Sequence, residues 1–197
     1  MLDARLPGTL IDAAWSNSTT ARRLGLLAAV IVGVCLLTLS AKLQVPFYPV
    51  PMTMQTLVVL MIGMAYGRVL GTATVVAYLV AGAAGLPVFA GTPERGIGLA
   101  YMMGPTGGFL AGFLISVWLV GALAERGWSN SFPLSAAAMI IGHAVILVSG
   151  VAWLAALLGP EKAIAVGLVP FLATSLVKCA LGAVSVPPIW RTFGYKA

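Results

Sequence analysis

Leu24–Ala41 runs for eighteen residues without a charge, and five further apolar runs follow it: roughly Thr53–Tyr66, Val69–Leu86, Pro105–Ala124, Leu134–Leu158 and Leu168–Trp190. A helix needs about twenty residues to cross a bilayer. The pattern therefore predicts an all-α integral membrane protein with six transmembrane helices, the short second run borrowing from its neighbours. Composition agrees. Charged residues make up 8% of the chain, against roughly 25% in a soluble domain, too few to cover a water-facing surface. The first run, preceded by Arg22 and Arg23, outlasts the usual 7–15 residues of a signal-peptide core, and no small-x-small cleavage site follows it. It is read as a helix that stays attached. Residues 1–21 then form a cytoplasmic N-terminal segment, and residues 22–197 form the membrane domain.

Six helices put both termini on one side. With the termini inside, Arg5, Arg22, Arg23, Arg68, Arg126, Arg191 and Lys196 are cytoplasmic, while Lys42, Arg95 and Lys162 are outside. That seven-to-three bias supports cytoplasmic termini. The outside breaks are the richer ones. The break from Leu86 to Gly104 is long and full of glycine and proline, as functional loops often are, so a ligand is expected to arrive from outside. The break Tyr66–Gly67–Arg68 is nearly minimal, and GPEKAIAVG is read as a loop. The halves show no repeat of the kind found in many secondary transporters. The basic residues are scattered rather than interleaved with aromatics, so no nucleic-acid patch is expected. Cys35 and Cys179 both lie in apolar runs and read as small buried residues. No metal cluster is apparent, nor any G-x-S-x-G, H-E-x-x-H or G-x-x-x-x-G-K motif. An ATP-driven motor would have to belong to another chain.

Lys178 is the strongest chemical clue. It lies two turns after Pro170, which suits a helix start, and so about 12 Å down the helix at 1.5 Å per residue. A lysine at depth costs at least about 2.5–3.5 kcal/mol, and no Asp or Glu stands in any apolar run to neutralise it. It either snorkels or faces a cavity that holds an anionic group. Ser175, three residues earlier, shares its helix face. In GPTGG, Gly104 and Pro105 read as a turn into a helix whose first amides, around Thr106 and Gly107, are free for a polar ligand. Gly104, Gly108 and Gly112 recur every four residues, as do Gly25, Ala29 and Gly33; such stripes allow close helix approach or docking of another membrane protein. Thr53, Gln55 and Thr56 form a neutral polar set, and Gln55 can both donate and accept. Tyr78 and Tyr101 either flank an apolar ligand or mark an interfacial belt. His143 stands alone, which suits a structural hydrogen bond better than a metal site.

The segments PVPMTMQT, GLPVFAG, GPTGGFLAGF and PFLxxxLVK together resemble the BioY family, the biotin-specific substrate-binding components of energy-coupling-factor (ECF) transporters. The resemblance covers about Lys42–Trp190. It implies a six-helix ECF S-component bundle in a bacterial cytoplasmic membrane, with an outward-facing biotin pocket. It also implies partners: a transmembrane coupling protein, docked by the first helix through Gly25, Ala29 and Gly33, and two ABC-type ATPases that use the ATP. No cofactor is implied. The candidate substrate site comprises Thr53, Gln55, Tyr78, Tyr101, Gly104, Pro105, Thr106, Gly107, Phe171, Ser175 and Lys178. One position departs: the family pattern PFxxGDxxK has an Asp where this chain has Ser175. Biotin suits the residues, since its carboxylate matches a buried lysine and its ureido ring matches Gln55 and hydroxyls. Its rival readings are an S-component for another vitamin, a transporter acting alone, an intramembrane hydrolase built on His143 and a serine, and a structural membrane partner without ligand.

Overall fold

The computed structural model describes residues 19–45 and 48–192. The helices are α1 (Thr19–Lys42), α2 (Gln55–Ala83), α3 (Gly98–Met102), α4 (Gly107–Ala124), α5 (Phe132–Leu158), α6 (Pro160–Gly167) and α7 (Val169–Thr192). Between α1 and α2 lie two short antiparallel strands, β1 (Gln44–Val45) and β2 (Met52–Thr53), with Gln44 opposite Thr53. Proline marks the first turn of α5, α6 and α7, where its missing N–H costs nothing. The stretch GPEKAIAVG, expected as a loop, is mostly the two-turn helix α6; Gly159 supplies the positive φ of 85° that the sharp turn from α5 requires, and Pro160 starts the helix.

Among the described residues, five helices are long and apolar enough to cross a membrane, α6 and the first part of α7 counting as one span, Pro160–Pro188. The protein is thus a multi-pass membrane protein. Helix α2 contains a sharper feature. Gly67 leaves the helical region with φ 74° and ψ −178°, and a Cβ placed on Gly71 would stand 3.5 Å from the Cα of Gly63. In a continuous helix those two residues would be about 12 Å apart. The arms 55–66 and 68–83 therefore double back on each other, at the very Tyr66–Gly67–Arg68 break the sequence marks. The hairpin tip is tied to the end of α4: Glu125 Oε1 accepts from the Arg68 amide at 2.9 Å, and Glu125 Oε2 lies 3.1 Å from Arg68 Nε.

Small residues set the close approaches, because a backbone can meet a neighbour only where no side chain intervenes. A Cβ on Gly63 would stand 3.0 Å from Val117 O, joining α2 to α4; one on Gly112 would stand 3.0 Å from the Cα of Ile146, joining α4 to α5. The stripe on α1 belongs to the same system. Gly25, Ala29 and Gly33 are buried. Ala29 O accepts from the Tyr66 hydroxyl at 3.1 Å, and a Cβ on Gly33 would stand 3.3 Å from Tyr66 Cε2. Ala29 and Gly33, in the stripe expected to dock a coupling protein, thus sit in an internal seam between α1 and α2, and Gly25 is buried as well. The opposite face of α1, with Leu24, Leu27, Ile31 and Leu39, is exposed. Cys35 lies exposed too, so only Cys179 fits the expectation of a buried cysteine.

Candidate functional site: a cavity at one end of the bundle

The cavity sits where β2 and the heads of α2, α4 and α7 meet the middle of α5, and the space between its walls, open solvent at its mouth included, is about 600 Å³. Its walls are mainly apolar. Phe109, Leu110 and Phe113 come from α4, Ile146 and Leu147 from α5, and Phe171 from α7, with Phe89, Ala90 and Tyr101 from the long connection before α4. Thr53, Gln55, Thr56, Thr106, His143, Ser175 and Lys178 supply the polar groups. An apolar hollow with a few convergent polar groups is the usual form of a small-molecule site.

Phe171, Ser175 and Lys178 are spaced i, i+4 and i+7, one face of α7. The Lys178 side chain is 6% exposed. Its Nζ donates to Thr53 O at 2.6 Å and to Thr56 Oγ1 at 3.1 Å. An ammonium has three donors, and among the described residues no carboxylate lines the cavity. Thr53 is held by its pairing with Gln44, so the short sheet fixes the carbonyl that positions the lysine. Gln55 Nε2 donates to the Tyr78 hydroxyl at 2.6 Å, and that hydroxyl donates to Val88 O at 3.1 Å.

The long connection is anchored from three directions. Lys42 Nζ donates to Phe89 O, Thr92 O and Thr92 Oγ1 at 2.9–3.0 Å. The Tyr101 hydroxyl donates to Ala90 O at 2.8 Å, and burial pushes its pKa above the usual phenol value, so it remains a donor at neutral pH. Phe89 stacks on Tyr101 at 4.9 Å and meets Tyr78 edge-on at 5.4 Å.

Of the residues expected in the site, Thr53, Gln55, Tyr101, Thr106, Phe171, Ser175 and Lys178 gather on this cavity. Tyr78 does not line it; fully buried, it stands one layer behind Gln55. Gly104, Pro105 and Gly107 are also off the wall. The helix begins at Gly107 with Thr106 as its cap, two residues later than Pro105 suggests. Its start does not offer a row of free amides: Gly107 N–H is bonded to Gly104 O, and those of Phe109 and Leu110 to Thr106 O, at 3.0–3.1 Å. Gly104 O in turn accepts from Trp153 Nε1 at 2.9 Å. Gly108 continues this packing, since a Cβ there would stand 2.6 Å from Ser149 O.

Sequence reasoning missed the pairs Phe109/Phe113 and His143/Leu147, each at i, i+4 spacing, and the anchoring role of Lys42. The aromatic pair was the available signal; nothing in the chain announces the partners of Lys42, which lie 47 and 50 residues away. His143 makes the expected structural bond, Nδ1 to Met139 O at 3.0 Å, and Cys179 Sγ lies 3.3 Å from the same nitrogen. Among the described residues no three of His, Cys, Asp and Glu gather to hold a metal ion.

Fold and cavity together define a class, the multi-pass membrane proteins that hold a small ligand among their helices. Within it, the chain belongs to the BioY family, whose sequence profile matches residues 13–195. It is 37% identical to the "Biotin transporter BioY" of Thermotoga maritima, covering 75% of this chain and 85% of that one. It is 36% identical to the protein of the same description from Rhizobium etli, over 80% and 86%. The "Probable biotin transporter BioY" of Pyrococcus horikoshii is 35% identical, over 75% and 85%. A crystal structure of the "S-component for biotin from an ECF-type ABC transporter" shares the fold, with a TM-score of 0.76 and 24% identity over 89% of this chain and 95% of that one.

Proposed function

We propose that this chain captures biotin from the external side of a bacterial cytoplasmic membrane and delivers it inward as the substrate-binding subunit of an ATP-driven transporter. The observation that carries the reading is Lys178, an ammonium in an apolar cavity with no acidic neighbour on its wall among the described residues. Two of its donors hold Thr53 and Thr56, and the third is available to an oxygen of biotin. The names of the relatives point to the same ligand. The two arms of α2, each a separate crossing, bring the spans to six. The role proposed is binding rather than catalysis; the described partners of His143 Nδ1 are Met139 and Cys179, and neither is a serine. The energising module, a coupling protein with two ABC-type ATPases, meets the chain elsewhere than the buried α1 stripe; the exposed outer face of α1 offers an apolar surface for it.

Equilibrium binding of radiolabelled biotin to the purified protein tests the reading. A charge-assisted hydrogen bond contributes about 1.5–3 kcal/mol, and 1.4 kcal/mol is a factor of ten. Lys178→Met should therefore weaken biotin binding roughly ten- to a hundredfold. Absence of saturable binding by the unaltered protein would overturn the proposal.

A further inference from the structure

Three buried side-chain polar atoms lack a partner among the described residues: Thr72 Oγ1, Ser129 Oγ and His143 Nε2. Of these three residues only His143 lines the cavity, and it is 3% exposed. We infer that His143 Nε2 accepts a hydrogen bond from an N–H of the bound ligand, a ureido nitrogen if the ligand is biotin as proposed above.

The ring chemistry leads there directly. Nδ1 lies 3.0 Å from Met139 O, and a carbonyl can only accept. Nδ1 therefore carries the proton, and Nε2 of the neutral ring keeps a lone pair. A buried acceptor without a partner is unfavourable, so a ligand that brings a donor gains what the free protein lacks. A carboxylate would bring only acceptors, lone pair against lone pair. Lys178 is at the same end of the cavity, since its neighbour Cys179 touches His143 Nδ1 at 3.3 Å. A cationic donor beside a neutral acceptor matches a cyclic urea, which presents C=O and N–H side by side in one plane. Lys178 then serves the ureido carbonyl rather than the carboxylate. The ring system of biotin then lies beside His143 and Lys178, and its acid tail extends away from them.

The test compares biotin, biotin amide and biotin methylated on a ureido nitrogen, bound to unaltered protein and to two variants. His143→Asn keeps a donor for Met139 O but has no atom at the Nε2 position. His143→Gln reaches that position with an acceptor oxygen. The unaltered protein should bind one of the two N-methyl isomers about five- to tenfold more weakly than biotin, and the amide nearly as well as biotin. His143→Asn should lose about the same factor for biotin and cease to discriminate against that isomer, and His143→Gln should recover most of both. If His143→Asn discriminates as strongly as the unaltered protein, the inference is overturned. If the unaltered protein binds both N-methyl isomers as tightly as biotin, it is overturned whether or not the variants fold. Failure of the unaltered protein to bind biotin at all sinks the proposed function as well, which separates the two.

Discussion

Tyr78 has one proton and two neighbours within reach. Val88 O can only accept, so the hydroxyl donates there and must accept from Gln55. That fixes the amide: its nitrogen faces the tyrosine, and its Oε1 is left for another donor. A residue one layer behind the wall thus decides what the wall offers. Tyr78→Phe keeps the edge contact with Phe89 but strands the Gln55 amide and Val88 O. We expect it to lower stability by about 1–3 kcal/mol and to weaken biotin binding several-fold, because Gln55 is then free to turn. Thermal unfolding and equilibrium binding measure the two effects. Unchanged affinity would show that Gln55 is not oriented through Tyr78.

The helices carry little polar patterning, because lipid and protein interior are equally apolar. What distinguishes an inward face is small side chains rather than hydrophobicity. On α1 the small face packs against Tyr66 and Thr74, while Leu24, Leu27 and Ile31 point outward. Gly33→Val should overfill this seam, at a cost of about 1–3 kcal/mol, and lower the unfolding temperature in detergent. Leu27→Ala, on the exposed face, should leave that temperature nearly unchanged. The opposite order would make the stripe an outward surface after all.

The end of α1, the starts of α2, α4 and α7, and the end of α5 all lie at the cavity end of the bundle. The basic-residue bias assigns that end to the outside, and the Arg68–Glu125 pair to the inside. Cysteines replacing Glu94 or Glu161 should react with a membrane-impermeant maleimide in sealed cells. One replacing Arg126 should react only after the membrane is opened. All three positions are exposed. Labelling at 126 in sealed cells would turn the molecule over and place the cavity on the cytoplasmic side.

From the sequence alone came the membrane class, the hairpin break at Tyr66–Gly67–Arg68, and one wall of the site. These are local properties: an uncharged run long enough to span a bilayer, a glycine at a minimal break, and the i, i+3 spacing of Ser175 and Lys178 on a single helix. Tertiary structure decided whatever depends on distant residues meeting. It turned Gly25, Ala29 and Gly33 inward, because a small-residue stripe reads the same whether its partner is the next helix or another protein. It used the amides of the α4 start within their own turn, set Tyr78 behind Gln55, and spent Lys42 on a connection 47 residues away. It also left His143 Nε2 without a partner among the described residues, on the wall of a cavity. A hydrogen bond that the fold does not make is visible only once every neighbour is in place, and a chain read one residue at a time contains no neighbours beyond its own turn.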